Sequence, residues 1–209
     1  GLLPAKDEIE APLRKEKTVY PIVAIRELIA NALIHQDLSI TGAGPTIEIF
    51  KSRIEITNPG TPLVNINRII DNPPRSRNEI MASLMRRLGI CEELGTGWDR
   101  VATYCETYLL PAPQIDIYEE NTKVTVFGPI AYKNMTQETR LWTCYLHACL
   151  KYVNQEKATN STLRDRLGLA STAAASASRL INLAVEAELI KPLDPNTAPR
   201  YKSYIPFWA

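Results

Sequence analysis

The sequence predicts an α/β fold: a two-layer α/β sandwich followed by a mainly α-helical unit. Up to about residue 132, three amphipathic helical segments alternate with two pairs of short strands. After residue 136 the pattern becomes helical, with three helical segments and then two short extended pieces around a Pro/Asn turn. A chain of 209 residues accommodates two such units. We therefore predict a lead-in over residues 1–21, a first domain over 22–132 and a second over 136–209.

The composition and charge of the chain limit the classes of function that it can have. The formal charge of +1 creates no global field toward nucleic acid or membrane, and no apolar run approaches the roughly 20 residues of a membrane span. The charge is uneven, because residues 1–135 hold 15 Lys and Arg against 17 Asp and Glu, whereas residues 136–209 hold 9 against 6. The four cysteines form no CxxC pair, so we expect reduced thiols, a cytoplasmic location and no structural zinc. The polar lead-in carries three prolines and is expected to join an upstream domain.

The first predicted helix follows Tyr20-Pro21, since proline is tolerated at a helix N-terminus. Glu27, Asn31 and His35 recur at i, i+4 and i+8 and share one helix face. They are a candidate base, metal ligand and proton carrier, or simply a solvated polar face, which on helix geometry alone is the commoner case. A different, apolar face is predicted from five residues, Ile25, Leu28, Ile29, Ala32 and Leu33.

A hairpin with one buried face follows the loop at residues 38–45. The strings TIEIF and RIEIT alternate around a tight turn at Lys51-Ser52. The hairpin ends at Asn58-Pro59-Gly60, which is a good turn in its own right. A polar segment over residues 64–79 then carries Arg75 and Arg77, which either contact phosphates or remain in water. A helix after it is predicted to stop at Gly89.

The turn Gly95-Thr96-Gly97 precedes a helix predicted over residues 98–110. A Gly-x-Gly turn at a helix N-terminus presents unpaired N–H groups and the positive end of the helix dipole to an anion. Such turns are common, so this one alone is weak support for a phosphate site. The strings QIDIYEE and KVTVFGP then predict a second hairpin with Asn121 in its turn.

Two stretches carry a family resemblance. RELIANALIHQDLS followed by IEIFKSRIEITNPG, and then GICEELGTGWDRV, resembles the C-terminal domain of a bacterial and archaeal family. Its members are labelled ATP-dependent DNA helicase RecG-related proteins, or transcriptional regulators with a Schlafen AlbA-type N-terminal domain. That domain is similar to the GHKL ATPase fold of histidine kinases, type II topoisomerases and MutL. The resemblance covers most of the chain up to about Tyr132.

The resemblance implies ATP or ADP with Mg²⁺ as the cofactor. Glu27 and Asn31 occupy the N-box positions of a water-orienting base and a Mg²⁺ ligand. Asn58 stands where GHKL enzymes carry the Asp that reads the adenine amino group, and it has no charge. This departure leads us to expect slow or absent hydrolysis, and the lack of a Walker A motif excludes a helicase motor in this chain. The remaining residues expected around the nucleotide are His35, Gly60, Arg75, Arg77, Gly95, Thr96 and Gly97.

The second unit has the element order of a winged helix-turn-helix, a module in which family members commonly end. Its first helix is predicted to start at Thr136 and its short second helix to be capped by Asn160 or Ser161. The candidate recognition helix spans residues 171–189. Expected DNA contacts are Ser171, Thr172, Ser176 and Arg179 on that helix, with Lys191, Arg200 and Lys202 in the wing. A scaffold or dimerisation role is the alternative.

Three functions follow from these patterns. The leading one is a regulator of transcription that binds duplex DNA and carries a degenerate or sensory GHKL-like nucleotide domain. The second is a Mg²⁺-dependent ATPase of the GHKL type, and the third is a module for protein–protein assembly. Because the positive charge of the second unit is modest, we expect useful DNA affinity to require a homo-oligomer or the upstream domain.

Overall fold

A computed structural model of the chain describes residues 19–73, 75–91 and 97–209. The helices are α1 (Ile22–His35), α2 (Glu79–Arg87), α3 (Gly97–Thr107), α4 (Gln137–Val153), α5 (Asn160–Arg166) and α6 (Ala174–Glu186). The strands are β1 (Thr46–Ile49), β2 (Arg53–Pro59), β3 (Gln114–Tyr118), β4 (Asn121–Phe127), β5 (Ile190–Pro192) and β6 (Tyr204–Pro206). The predicted α/β fold is confirmed. None of the helices in these ranges has the length and apolar run required to span a bilayer.

The first four strands form one antiparallel sheet in the order β1-β2-β4-β3. Helices α1 and α3 cover one face of this sheet, so the first unit has two layers. Alternate residues of the two central strands point into the core, as period-two patterning requires. The buried core between the layers is formed by Ala24, Leu28, Ile54, Ile56, Val101, Cys105, Val124 and Val126.

The predicted buried face of the first hairpin is wrong for its outer strand. Ile47 and Ile49 pair with Ile56 and Ile54, yet their side chains remain 48% and 77% exposed. The reason is that β1 is the edge strand and α1 packs against β2. The turn of the second hairpin also differs from the prediction. Asn121 is the first residue of β4, and the turn residue with a positive φ is Glu119.

Helix α1 is buried more evenly than its apolar pattern predicts. Ala24, Leu28 and Ala32 are buried, but Ile25 and Ile29 are only half-buried. Glu27, on the row predicted as polar, is buried instead. This helix is enclosed by the sheet, α3 and α2 together, so its burial follows its neighbours rather than its own amphipathicity.

The C-terminal elements follow in the predicted order of three helices and a β5-β6 hairpin. Thr136 caps α4 by accepting the Thr139 amide at 3.1 Å. The cap of α5 is Thr159, in a reciprocal capping box with Thr162, rather than Asn160 or Ser161. Residues 171–173 form a short 3-10 turn before α6. A winged-helix function for this unit stays a prediction.

Packing crosses the boundary predicted near residues 128–136. Ile70, Ala102 and Ala112 belong to the same buried cluster as the core of α4, α5 and α6. Polar contacts cross as well, because the Thr143 hydroxyl accepts the Ala112 amide and the Trp142 indole donates to the Pro113 carbonyl. The two units therefore share one continuous core, and the domain boundary stays a prediction.

Candidate functional site

One cavity opens between α1, the end of β2, the start of β4, the start of α3 and the described residues 61–73 and 75–76. Its walls include the central residues predicted for the nucleotide site from distant parts of the sequence. Residues predicted from the sequence that line it are Glu27, Asn31, His35, Asn58, Arg75 and Gly97. Gly95 and Thr96 of the predicted phosphate turn lie outside the described residues.

Glu27 is 6% exposed and lies directly against Gly97, the first described residue of α3. A Cβ added to Gly97 would lie 2.5 Å from Oε1 of Glu27 and 3.4 Å from Nδ2 of Asn31. Only glycine leaves room for this arrangement. The positive end of the α3 dipole stabilises a carboxylate at this position. The packing of α1 on α3 thus holds the row of Glu27 and Asn31 inside the molecule.

His35 completes this row at the C-terminal end of α1 and lines the same cavity. Burial is the first cause of its lowered pKa, and the positive charge of Arg77 is the second. Because both causes disfavour the imidazolium, His35 is neutral at pH 7. A neutral ring offers one hydrogen-bond donor and one acceptor to the cavity.

Asn58, near the end of β2, lines the cavity, whereas Gly60 in the turn after this strand does not. Asn58 is 5% exposed and its Nδ2 donates to the Pro59 carbonyl at 3.1 Å. Gly60 has φ +104° and is not part of the cavity wall. A Cβ on Gly60 would lie 3.0 Å from the Cβ of Asp37, so this glycine shapes the turn.

The two arginines of the polar segment have different roles. Arg75 is exposed and lines the cavity, as predicted. Arg77 is not part of the wall, which corrects the expectation that it faces a nucleotide. Its guanidinium donates to Asp37 Oδ2 at 3.0 Å, to the His35 carbonyl at 3.2 Å and to the Thr61 carbonyl at 2.7 Å. These three acceptors use most of its donors in holding the loop after α1.

Sequence reasoning missed several polar lining residues. Arg86 of α2 lines the cavity, as do Asn72, Ser76 and Thr122. Arg86 belongs to the helix predicted before Gly89, and its approach to the cavity depends on how α2 packs on α1. The one sequence signal available was its positive charge near the segment already predicted to meet phosphates.

Asp99 lies in the first turn of α3, two residues beyond Gly97. Burial, and secondly the nearby charge of Asp71, raise its pKa to about 6. Its Oδ1 atom is buried and has no hydrogen-bond partner within the described part of the chain. An ionised carboxylate is therefore destabilised at this position.

Comparison with known families matches part of the first unit. Residues 42–126 match a family model described as "Putative ATP-dependent DNA helicase recG C-terminal". Over these residues the chain is similar to a RecG-related, GHKL-like ATPase-type domain. The match spans the four-stranded sheet with α2 and α3, whereas α1 and the helices from α4 onward lie outside it.

Among solved structures, the chain is similar to the DIP2311 protein from Corynebacterium diphtheriae, with 15% identity and a TM-score of 0.48. The alignment covers 91% of this chain and 51% of that one, so this chain spans about half the length of the DIP2311 protein. No curated protein sequence matches the chain.

The donor atoms at the cavity suit a hard cation. The described residues contain no group of three or more His, Cys, Asp or Glu side chains arranged for a metal ion. Mg²⁺ does not require such a group, because it is usually held by one or two protein oxygens together with substrate phosphates and water. The amide oxygen of Asn31 is a ligand of the correct type on one wall of the cavity, and the carboxylate of Glu27 lies beside it.

Proposed function

We propose that the cavity of the RecG-related domain binds ATP or ADP with Mg²⁺. The observation that supports this most is the convergence of Glu27, Asn31, Asn58 and Gly97 on one cavity. These residues come from α1, the end of β2 and the start of α3, and Glu27, Asn31 and Gly97 match the residue types of a GHKL-like site, whereas Asn58 replaces the usual Asp. The match of residues 42–126 to an ATPase-type family supports the same proposal.

Each residue has a distinct role in this proposal. Asn31 would supply an oxygen to Mg²⁺, and Asn58 would offer an acceptor to the base. Glu27 would orient a water toward the γ-phosphate and accept its proton. When bound, Mg²⁺ would neutralise phosphate charge. Arg75 and Arg86 supply positive charge at the same wall.

We expect the site to sense nucleotide rather than turn it over rapidly. Asn58 lacks the charge of the usual adenine reader. The cavity volume of about 170 Å³ is below the roughly 300–1,000 Å³ of pockets that enclose a drug-sized ligand. A nucleotide would therefore extend into the open mouth or displace the wall at residues 61–73.

A calorimetric titration of the full chain with ADP and with ATP, each with Mg²⁺, tests this proposal. We expect binding that is weakened at least tenfold by Asn31→Ala. Asn182→Ala is the matched control, because Asn182 is exposed on α6, away from the cavity. Equal binding by both variants, or none by the wild type, would contradict the proposal. Brisk steady-state hydrolysis abolished by Glu27→Gln would favour the ATPase alternative.

We further propose that the C-terminal unit binds duplex DNA in a regulator of transcription. The supporting observation is that α6 has one buried side and one exposed side. The buried side consists of Ala177, Leu180, Ile181 and Ala184. Ser171, Thr172 and Arg179 are exposed, and so are Lys191 and Arg200 of the hairpin. Ser176 and Lys202 are half-buried, and Arg179 donates to the Ser176 hydroxyl at 3.2 Å. A protein-contact role for this surface is the competing proposal.

A further inference from the structure

The outer wall of the cavity has a second side, which faces the C-terminal unit. Residues 65–72 contain a short 3-10 turn, Ile66–Arg68, and continue through Ile69 and Asn72. Ile69 and Asn72 line the cavity. Ile70, between them, is 6% exposed and belongs to the buried cluster that contains the core of α4 and α6. One short segment thus separates the cavity from the C-terminal core.

Two aromatic side chains of the C-terminal unit hold this segment. The Tyr145 hydroxyl of α4 donates to the Asn67 carbonyl. The same hydroxyl accepts the indole N–H of Trp208 at 3.0 Å. The Arg68 guanidinium lies 4.9 Å from the Trp208 ring centroid, within the range of a cation–π contact. Trp208 also stacks edge-on against Tyr152 of α4, so its ring is fixed from both sides.

Helix α3 contacts both the cavity and the C-terminal unit. Trp98 at its start lines the cavity and packs against both buried clusters. At its other end, Glu106 binds His147 Nδ1 at 2.9 Å and Arg166 Nε at 3.3 Å. Arg166 also donates to the Leu110 carbonyl at 2.7 Å. The C-terminal unit is therefore anchored to α3 independently of its contacts with residues 65–72.

We propose that Tyr145 and Trp208 form a latch that holds residues 65–72 against the C-terminal unit as a closed wall of the cavity. A ligand that moves this wall must alter the latch. A partner that reorients the end of the chain must, by reciprocity, alter affinity at the cavity. The latch is inferred from the contacts of Tyr145 and Trp208 with residues 65–72. Its link to nucleotide binding rests on the proposed function.

Hydrogen exchange on the full chain without nucleotide tests the latch. Tyr145→Phe keeps the ring but removes the hydroxyl that joins Asn67 to Trp208. We expect roughly three- to tenfold faster exchange of the backbone amides of residues 66–72, as for the loss of one net hydrogen bond. Tyr201→Phe is the matched control, because Tyr201 is 71% exposed in the same unit. Unchanged exchange in Tyr145→Phe would overturn the latch.

A second variant is needed because Tyr145 is buried, so that Tyr145→Phe could change exchange by destabilising the whole fold. Trp208→Phe keeps an aromatic ring but removes the indole N–H that donates to Tyr145, and it weakens the cation–π contact with Arg68. Exchange in β2 and β4 serves as the folding reference in both variants. Faster exchange at residues 66–72 with an unchanged reference supports the latch. Faster exchange everywhere in Tyr145→Phe, with no change at residues 66–72 in Trp208→Phe, would overturn it.

Adding ADP with Mg²⁺ separates the latch from the proposed function. In the wild type we expect ADP to change exchange at residues 204–209, and Tyr145→Phe to reduce that change at least threefold. If the variants loosen residues 66–72 but ADP does not bind, the nucleotide proposal fails and the latch remains. If ADP binds and neither the variants nor ADP affects these segments, the latch fails and the nucleotide proposal remains.

Discussion

At the scale of single residues, Gly97 leaves room for the carboxylate of Glu27 to stay buried beside Asn31. A Cβ at Gly97 would lie 2.5 Å from Glu27 Oε1, closer than real contacts allow. Because this oxygen is the far end of a flexible side chain, we expect Gly97→Ala to displace the carboxylate and so to weaken nucleotide binding. Gly44→Ala is the control, because an added Cβ there meets nothing within 4 Å. A calorimetric titration with ADP and Mg²⁺ compares the two variants, and equal nucleotide affinity would contradict the argument.

Asp99 gives a prediction with a defined pH dependence. Its folded-state pKa of about 6 lies above its ordinary value of 3.8, so the native state holds the proton more tightly than the unfolded state. Stability therefore falls as pH rises through this window, and the penalty is complete above pH 6. We expect Asp99→Asn to stabilise the protein at pH 8 by about 1 kcal/mol, a figure discounted for partial exposure, and by little at pH 4.

Urea unfolding at pH 4 and pH 8 measures this difference. Asp165→Asn is the control, since Asp165 is exposed on α5. A stabilisation by Asp99→Asn that is the same at both pH values would show that the ionised carboxylate is not the source of the penalty.

At the residue scale, the sequence predicted which side chains meet, but not how they are enclosed. Glu27, Asn31 and His35 share a helix face because of the helical repeat, which is local information. The burial of Glu27 requires α3, whose start at Gly97 lies 70 positions later in the chain. Arg77 shows the same limit, because its three acceptors belong to α1, the loop after it and residue 61. Nothing local distinguishes it from Arg75.

At the scale of elements, the segment before α2 closes the end of α1. Asn78 Nδ2 donates to the Ile34 carbonyl at 3.0 Å and to the Gln36 carbonyl at 2.9 Å. The final carbonyls of a helix lack intrahelical partners, so these bonds satisfy groups that would otherwise be unpaired. We expect Asn78→Ala to cost about 1–3 kcal/mol of unfolding free energy.

Thermal and urea unfolding of Asn78→Ala test this role of the segment. Asn134→Ala is the matched control, because Asn134 is exposed and has no side-chain hydrogen bond among those of the described residues. A loss in Asn78→Ala no larger than in the control would show that the end of α1 is held by its packing alone.

The order of helices and strands was predictable from the sequence because hydrophobic periodicity is local information. The burial of each element was not predictable, because it depends on neighbours that are distant in sequence. Helix α2 has an apolar row at Ile80, Leu84 and Leu88, yet these side chains are 89%, 55% and 64% exposed. The helix buries Ala82 and Met85 against α1 instead. The edge strand β1 shows the same effect, since alternation marks one face but does not say whether a helix covers it.

At the scale of the whole molecule, the two units are joined by polar groups as well as by a core. Burial raises the pKa of Glu106. Its hydrogen bond to His147 and the charges of His147 and Arg166 lower that pKa, and together they outweigh burial. No partner of His147 is visible in the sequence, because Glu106 lies 41 positions away and the third member, Arg166, lies on α5. Breaking such a buried set by removing one member is costly. Any function of the C-terminal unit therefore operates from a fixed position on α3.

The DNA proposal is tested on the full chain, since the C-terminal unit shares its core with the first. Arg179 is exposed on α6, and Lys202 is half-buried beside the hairpin. We expect weak, salt-sensitive binding to duplex DNA, in which Arg179→Ala costs about 1–3 kcal/mol if the side chain reads a base edge. Lys202→Ala should weaken all sequences alike and reduce the salt slope by about one, as expected for a phosphate contact.

The matched control for this titration is Lys51→Ala, which removes an exposed positive charge from the first hairpin. If binding depends only on net charge, all three substitutions lower affinity equally, because each removes one positive charge. If binding uses α6 and its hairpin, Lys51→Ala leaves both affinity and salt slope unchanged. Equal losses, or no binding at 50 mM salt, would exclude a specific DNA surface on α6. The exposed side of α6 would then be a surface for protein contacts, fixed relative to the cavity by α3.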